Sequence, residues 1–434
     1  MKVLHTSDWH LGRYLNKTKK RYAEFEKFLD WLSATIARRE VDVLLVCGDI
    51  FDNSTPTHKA QELYYNFLRS VVTGAPSCRH VVVVGGNHDS PSFLEAPARL
   101  LKGFGIHVVG AATDDPAREV LALRDPAGRL ELVVCAVPFL RESDLRCAES
   151  GETEADRRQK IADGLAAHYR EAADLAAGLA AETDPPAPVA ATGHLHLADC
   201  GLSDSDGVRD IHAGPLAALP ASSLPAFDYL ALGHLHSPQK VGGSETIRYS
   251  GSPVPMGFNE LRRQKSVCLV DLAPGGAAAV EVVPVPVFQR LARLEGDLPA
   301  LLDAIAKLKE EDPGASPAAG PESPDGSPAD ENPRGVWLEL VHKGSELDSE
   351  GRRRLEEAAA GGSLEILAVK NDRPAGQAAL DAGPEHRSLA ELTPAQVFDI
   401  LLEDKKTPEE ERPGLRAAHA ELLNELLSAD VRAE

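Results

Sequence analysis

The sequence predicts a layered α/β fold with more than one domain. Five short apolar runs, rich in Val, Leu and Ile, have the length of buried β-strands. Amphipathic helical patterns at residues 21–40 and 57–72 separate the first three runs, and this alternation is typical of a sheet covered by helices. The length of 434 residues exceeds what one core usually holds, so we expect at least two domains.

Each of the five runs ends in a polar cluster. With their clusters, the runs are KVLHTSDWH, VDVLLVCGDIFD, HVVVVGGNHD, VAATGHLH and YLALGHLH. In sheets of this kind, sites form in the loops that leave the carboxyl ends of the strands. The sequence therefore predicts that the polar clusters meet at one edge of the fold.

A second, small α/β domain is predicted after the last of these runs. Residues 286–375 have the pattern strand, helix, strand, helix, strand, and a Pro-, Gly- and Ser-rich stretch at 311–335 predicts a disordered insertion within it. Residues 389–434 contain two helical patterns, each starting with Thr then Pro, and the last carries a stripe of leucines. The predicted domains are thus 1–285, 286–375 and 389–434.

The composition is that of an ordinary globular protein, with 43% hydrophobic and 26% charged residues. The sequence has no apolar run of about eighteen residues, and its N-terminus lacks the pattern of a secretory signal. The six cysteines are scattered without a C-x-x-C pair, which argues against a structural zinc site and is consistent with a reducing compartment. We therefore expect a cytoplasmic protein that has no membrane span.

The net charge of −21 would by itself argue against a nucleic-acid partner. The charge is unevenly distributed, because residues 1–110 carry 14 basic and 11 acidic side chains and the remainder carries 32 and 56. A nearly neutral N-terminal region that holds metal ions could still face phosphates. The total charge therefore does not exclude DNA.

The polar clusters contain side chains that bind divalent metal ions. Asp8 and His10 are two residues apart, so in an extended backbone both would point to one side and could hold an ion. Asp49 and Asn87 follow the next two predicted strands, and a mixture of carboxylate, amide and imidazole suits Mn²⁺ or Fe²⁺. Any one of these motifs alone is more often a turn with solvated side chains. Five of them in order, all at strand ends, indicate one metal site.

With these motifs the sequence resembles the calcineurin-like metallophosphoesterases. The words LHTSDWHLG, GDIFD, GGNHDS and YSGSP narrow the resemblance to DNA-repair nucleases of the Mre/Rad and SbcCD type, and the likeness covers nearly the whole chain. The resemblance implies a β-sandwich flanked by helices, a small α/β capping domain and C-terminal helices that dock a partner. It also implies two divalent metal ions, with Mn²⁺ as the expected metal.

The resemblance implies a role for each residue of the clusters. The first metal would take Asp8, His10, Asp49 and His236, and the second would take Asp49, Asn87, His194 and His234. Asp49 would bridge the two ions at about 3.5–4 Å, and the pair would activate water for in-line attack on a phosphodiester. His88 would stabilise developing charge or protonate the leaving oxygen, and Asp89 would orient His88.

The tetrapeptide GHLH occurs twice, at 193–196 and 233–236, with no duplication around it. We interpret the two copies as strand ends that converge on one centre. His196 could face this centre, but no family ligand corresponds to it. Asp52 receives no role, because many relatives have histidine there. The basic stretches at 16–22 and 260–265 could equally contact DNA phosphates or form solvated helix starts.

The resemblance implies a Mn²⁺-dependent DNA nuclease subunit for repair and recombination, with double-strand exonuclease and single-strand or hairpin endonuclease activity. The implied partners are DNA, an SbcC-like coiled-coil ATPase subunit and a second copy of the chain within a heterotetramer, at the nucleoid in the cytoplasm. The alternative is a small-molecule phosphodiesterase or phosphatase, which leaves the C-terminal region unexplained. A metal-site scaffold without catalysis would require lost ligands, yet every expected ligand type is present.

Overall fold

The structure is a computed structural model that describes residues 1–147, 152–200, 219–311, 335–344, 347–361 and 363–372, with seven positions between 398 and 419. It contains two compact units, Met1–Leu340 with Ser349–Val369, and Val341–Asp348 with Lys370–Glu434. The predicted insertion and the predicted terminal helices lie almost entirely outside the described residues. They therefore stay predictions, as do the predicted domain boundaries.

The elements alternate between strands and helices along most of the chain. The strands are β1 (Lys2–Thr6), β2 (Val43–Cys47), β3 (His80–Val84), β4 (Ile106–Val109), β5 (Val120–Arg124), β6 (Leu130–Cys135), β7 (Val189–His194), β8 (Tyr229–Gly233), β9 (Gln239–Lys240), β10 (Ile247–Tyr249), β11 (Ser266–Asp271), β12 (Ala279–Pro284), β13 (Arg290–Gly296), β14 (Val336–Lys343) and β15 (Leu364–Asp372). The α-helices are α1 (Tyr22–Arg39), α2 (His58–Gly74), α3 (Pro91–Glu95), α4 (Ala98–Lys102), α5 (Glu142–Leu145), α6 (Glu154–Ala180), α7 (Leu298–Glu311) and α8 (Ser349–Ala359).

Two six-stranded mixed sheets form the larger part of the first unit, and a three-stranded sheet follows them along the chain. The first sheet has the order β12-β11-β1-β2-β3-β4, and the second has the order β5-β6-β7-β8-β10-β9. Strands β1 to β4 run parallel, as do β6, β7, β8 and β10. The carboxyl ends of these parallel strands carry all five polar clusters.

The two large sheets pack face to face through a shared apolar layer. Val3 and Leu45 of the first sheet lie in the same fully buried cluster as Val134 and Ala231 of the second. Burial of each Val or Leu side chain contributes about 1.5–3 kcal/mol, so this layer is a main source of stability. The outer face of the first sheet packs on α1 and α2, and that of the second packs on α6. The predicted layered sandwich flanked by helices is confirmed.

The helices follow from amphipathic spacing and from local capping. In α1, Phe25, Phe28, Leu32 and Ile36 are buried at helical spacing and join the core under the first sheet. Helix α2 is capped at its N-terminus by Thr57, whose side-chain oxygen accepts a hydrogen bond from the amide of the third residue that follows. Both helices lie where the sequence predicts them.

The small predicted domain has the predicted order of elements, β13, α7, β14, α8 and β15. Its strands form the third sheet in the order β13-β14-β15. Leu301 and Ile305 of α7 and Leu355 of α8 are fully buried, as the periodicity of these two helices requires. Among the described helices, none is both long and apolar enough to cross a membrane.

Candidate metal centre

The ends of five parallel strands bring all seven predicted ligands together. Those from the first sheet follow β1, β2 and β3, whereas those from the second sheet lie at or just after the ends of β7 and β8. The residues are Asp8, His10, Asp49, Asn87, His194, His234 and His236. The site therefore lies at the edge where both sheets of the sandwich open.

One group of donors surrounds the end of β1. The donor atoms of Asp8, His10 and His236 lie within 4.8 Å of one another, and all three residues are buried. The Nε2 atoms of His10 and His236 are 3.1 Å apart. Nε2 of His10 is also 3.5 Å from Oδ2 of Asp49.

A second group of donors lies on the other side of Asp49. Nε2 of His194 is 3.3 Å from the same Oδ2 of Asp49 and 3.0 Å from Oδ1 of Asn87. Nδ1 of His234 is 3.1 Å from this Asn87 oxygen. The carboxylate of Asp49 therefore lies between the two groups and belongs to both.

These separations fit donors that share a metal ion. Metal–nitrogen and metal–oxygen distances of about 2.0–2.2 Å place neighbouring donors of one ion about 3.0–3.6 Å apart. The donor pairs of both groups span 3.0 to 3.5 Å. Nε2 of His10 and Nε2 of His236 lie 3.1 Å apart, a distance that suits a hydrogen bond between the rings as well as two ligands of one ion. The donor set thus fits a pair of divalent cations.

The backbone at the site is left-handed at four of these residues. The φ angles are 54° for Asp8, 48° for His10, 51° for Asp49 and 98° for His234. Asp8 and His10 do not have the extended backbone in which both side chains would point to one side, because both residues turn sharply after β1, yet their donor atoms still lie together. Their amides donate to the carbonyls of Gly48 and Asp49 at 3.0 and 2.9 Å, which holds the turn in place.

Glycine at position 48 leaves room for one of the histidines. Gly48 has a φ of 83°, and a Cβ there would lie 2.2 Å from Nδ1 of His194. That nitrogen instead donates to the carbonyl of Cys47 at 3.0 Å, which leaves Nε2 of His194 for the cluster. Gly48 therefore leaves space for His194, and Asp49 next to it contacts both groups of donors.

Burial and neighbouring charges set the protonation of the cluster. Burial lowers the pKa of His10 to about 4 and that of His234 to about 3, so both rings are neutral at pH 7. Burial opposes a charge on His194, but the carboxylates of Asp49 and Asp8 outweigh it and raise its pKa to about 9. Burial likewise disfavours the Asp49 carboxylate, yet His194 beside it holds the Asp49 pKa well below its usual range. The centre without a cation thus retains a proton that a divalent ion would replace.

His88 lies half-buried beside the first group of donors. Its ring centroid is 4.9 Å from that of His10, and its amide donates to Oδ1 of Asp49 at 2.9 Å. Its Nδ1 donates to the backbone carbonyl of Asp52 at 2.9 Å. Asp52, which received no role from the sequence, therefore orients His88, and its carboxylate lies 3.4 Å from Nδ1 of His10.

Asp89 holds two loops together, and the expectation that it orients His88 stays a prediction. Its buried carboxylate accepts hydrogen bonds from the amides of Ile50, Phe51 and Gly86 at 2.9 to 3.1 Å. Burial and the charge of Asp49 raise the pKa of Asp89 to about 6. These contacts link the loop after β2 to the loop after β3. In the sequence, an aspartate that accepts hydrogen bonds from loop amides looks the same as a catalytic aspartate. The sequence alone therefore does not predict this role.

The basic stretch at 260–265 does not start a helix, and contact of its exposed arginines with DNA phosphates stays a prediction. Glu260 and Lys265 are buried, and Nδ1 of His236 donates to Oε1 of Glu260 at 3.0 Å. Arg262 and Arg263 between them are exposed. Sequence reasoning missed Glu260 and Lys265 as parts of the site, because a charged run gives no sign of which members are buried.

The stretch at 16–22 is also partly used within the chain. Nζ of Lys19 lies 2.7 Å from the carboxylate of Glu365, and the buried guanidinium of Arg21 lies 2.7 Å from that of Glu24. Lys17 is exposed.

His196 is half-buried near His234. Its charge helps to lower the pKa of His234, after burial and other neighbours. The ligand groups described above do not include it.

Comparison with known proteins places this centre in a family. Residues 1–238 match the Calcineurin-like phosphoesterase family, and residues 287–406 match the Type 5 capsule protein repressor C-terminal domain. The chain is 34% identical to the D subunit of nuclease SbcCD from Escherichia coli K12, over 95% of this chain and 96% of that protein. It is 38% identical to the protein of the same name from Rhodobacter capsulatus, over 71% and 76% of the two chains. For the Bacillus subtilis protein of that name the identity is 33% over 65% and 69%.

The family match covers all five strand ends that form the cluster, and the similarity to the Escherichia coli protein extends over nearly the whole chain. Fold, donor set and sequence similarity agree. The chain belongs to the family of SbcCD nuclease D subunits, within the calcineurin-like phosphoesterases.

Proposed function

We propose that this chain is a Mn²⁺-dependent DNA nuclease that hydrolyses phosphodiesters with two metal ions. The observation that carries the proposal is the position of Oδ2 of Asp49, 3.5 Å from Nε2 of His10 and 3.3 Å from Nε2 of His194. One carboxylate oxygen between two imidazoles is the placement that a bridging ligand of a two-metal site requires. The nuclease name of the full-length relatives supports DNA as the substrate.

The residues divide into two ligand sets that share Asp49. The first set is Asp8, His10, Asp49 and His236, and the second is Asp49, Asn87, His194 and His234. Bound divalent cations would supply Lewis-acid polarisation of the phosphate and an activated water. Oxygen donors mixed with imidazole suit Mn²⁺, and among the described residues no thiolate belongs to the cluster.

Two residues beside these ligand sets, His88 and Asp89, have roles other than metal binding. His88 is the group that would stabilise charge on the phosphate or give a proton to the leaving oxygen. Its Nδ1–H is held by the Asp52 carbonyl, so Nε2 is the atom that would exchange the proton. The carboxylate of Asp89 holds three backbone amides of the loops that carry Asp49 and His88, and in this position it would help to orient His88.

The proposal extends to partners and location. The relatives are named as the D subunit of nuclease SbcCD, and we infer that this chain also works with a coiled-coil ATPase subunit of the SbcC type. Two copies of the chain would pair within a heterotetramer. With DNA as the substrate, we expect the complex to act at the nucleoid in the cytoplasm.

The test compares DNA with a small phosphodiester, with and without metal. The purified chain is given linear duplex DNA, hairpin DNA or bis-p-nitrophenyl phosphate, in Mn²⁺, Mg²⁺ or EDTA, alone and with the ATPase subunit. We expect Mn²⁺-dependent hydrolysis of DNA and of the small ester. Hydrolysis of the small ester with no DNA cleavage, even with the ATPase subunit present, would instead favour the small-molecule phosphodiesterase.

A further inference from the structure

A buried ion pair lies behind His236, on the opposite side of the ring from His10. Nε2 of His236 faces His10, whereas Nδ1 is 3.0 Å from Oε1 of Glu260. The other oxygen of Glu260 accepts a hydrogen bond from Nζ of Lys265 at 2.7 Å. Relative exposures of 3% for the Glu260 side chain and 6% for that of Lys265 keep this pair out of solvent.

The Glu260–Lys265 pair contacts His236 at its ring and at its backbone carbonyl. Nζ of Lys265 also donates to the backbone carbonyl of His236 at 2.9 Å and contacts Oγ of Ser252 at 2.8 Å. Oε2 of Glu260 accepts a further hydrogen bond from the amide of Met256 at 2.9 Å. The carboxylate thus holds the ring of His236 while the ammonium holds its backbone.

Stability alone is a poor explanation for such a pair. Burial of two charges carries a desolvation cost that their attraction often only offsets, and apolar residues of similar size are frequently as stable. The pair does have an effect on His236. Because the carboxylate of Glu260 can only accept, Nδ1 carries the proton and Nε2 keeps its lone pair toward the cluster.

We propose that Glu260 and Lys265 are positioning residues for the first metal ion. Glu260 fixes the tautomer and orientation of the His236 ring. Lys265 donates hydrogen bonds to Glu260 and to the backbone carbonyl of the same histidine and so holds the two together. Carboxylates that hold the outer nitrogen of a ligating histidine commonly act in this way. The inference rests on the proposed ligand role of His236.

The experiment measures Mn²⁺ binding by calorimetry for the full chain, Glu260→Gln and the double variant Glu260→Gln with Lys265→Met. We expect two ions on the unmodified chain. In Glu260→Gln, one ion binds about 10–100-fold more weakly and the other is unchanged. The double variant removes the lysine charge left without its carboxylate, so its thermal stability recovers relative to Glu260→Gln. Its affinity for the first ion stays low, because the carboxylate behind His236 is still missing.

The ion pair of Arg21 and Glu24 provides the matched control. This pair is also buried, its two side chains are 2.7 Å apart, and Arg21 contacts the ring of Phe25 and donates to the carbonyl of Pro255. Glu24→Gln with Arg21→Met should change stability and leave both Mn²⁺ affinities unchanged. Recovery of Mn²⁺ affinity together with stability in the Glu260/Lys265 double variant would overturn the positioning role. Fewer than two ions on the unmodified chain would overturn the proposed function itself, and the positioning role with it.

Discussion

The left-handed backbone at Asp8, His10, Asp49 and His234 sets the geometry of the centre residue by residue. A non-glycine residue in this region carries strain on the order of 1–3 kcal/mol, which surrounding hydrogen bonds must offset. The amide of His234 donates to Oδ1 of Asp8 at 2.8 Å, so one strained turn supports the other. The donors are held in place before any ion binds, which reduces the cost of ordering them.

His88→Gln should reduce phosphodiester hydrolysis by about 10²–10³-fold, because the role proposed for His88 is to donate a proton or stabilise charge on the phosphate. The side chain of His88 belongs to neither proposed ligand set. Elemental analysis of the purified variant should therefore still find two metal ions per chain. A variant with one ion or none would show that His88 serves the metal centre instead.

Asp49→Ala should lose both metal ions, whereas Asp8→Ala should mainly lose one. In the proposed ligand sets Asp49 serves both ions and Asp8 only the first, although donor atoms of Asp8 lie near those of His10 and His236 and also near those of Asp49 and His194. Calorimetric titration with Mn²⁺ gives the number of ions bound by each variant. Equal stoichiometry for the two variants would contradict a bridge at Asp49.

At the scale of elements, the two sheets are tied by polar contacts as well as by apolar packing. Nδ1 of His5 in β1 is 2.9 Å from the hydroxyl of Tyr229 in β8, and Nε2 is 3.1 Å from the carbonyl of Leu232. All of these atoms belong to the strands that end at the metal centre. Strands β1 and β8 of the two sheets are therefore held together three residues before Asp8 and two residues before His234.

The link through His5 should make stability depend on pH. Burial lowers the pKa of His5 from 6.5 to about 3, so the folded protein holds this ring neutral. As the pH falls, His5 of the unfolded chain is protonated before His5 of the folded protein. The contribution of His5 to the free energy of unfolding is therefore complete above pH 6.5 and declines as the pH falls toward 3. In the metal-free protein, His5→Gln should make the free energy of unfolding less steep in pH by up to about 1.4 kcal/mol per unit between these limits.

Urea unfolding curves recorded at several pH values for both proteins provide the measurement. Other histidines titrate in both proteins, so the difference between the two slopes reports on His5. Parallel pH profiles would mean that His5 does not stay neutral in the folded state.

At the scale of the whole molecule, the metal centre and the C-terminal region occupy different parts of the chain. The centre is built from strands and loops between residues 2 and 236, while the second family match covers 287–406. The first 110 residues are nearly neutral and supply Asp8, His10, Asp49 and Asn87, and the acidic charge lies in the remainder. This distribution is compatible with a chain of net charge −21 that acts on DNA.

Removal of residues 389–434 should leave metal binding and hydrolysis of bis-p-nitrophenyl phosphate unchanged and abolish binding of the ATPase subunit. The reason is the stripe of leucines at helical spacing in the last predicted helix, which suits a helix that docks on a partner. A pull-down of the truncated chain with the ATPase subunit tests this. Undiminished binding would exclude the docking role, and lost ester hydrolysis would place the helices in the core.

The sequence by itself determined the layered α/β architecture, the strand ends and the type of side chain at the centre, whereas the sandwich and the ligand sets were implied by the resemblance to the calcineurin-like metallophosphoesterases. Apolar runs of about five residues report burial in a sheet, and the Asp, Asn and His residues that follow them report a metal site, because both signals are local in the chain. The same holds for α1, α7 and α8, whose periodicity places them correctly.

Only the tertiary structure decided how the donor side chains lie relative to one another and which residues support them. Asp49 lies between His10 and His194 because two sheets, whose ligands are more than a hundred residues apart in sequence, open at one edge. The left-handed turn at Asp8 and the burial of Glu260 depend on the same packing. The sequence does not show whether a charged residue in a polar run is solvated or packed against a histidine, since burial is a property of the assembled fold.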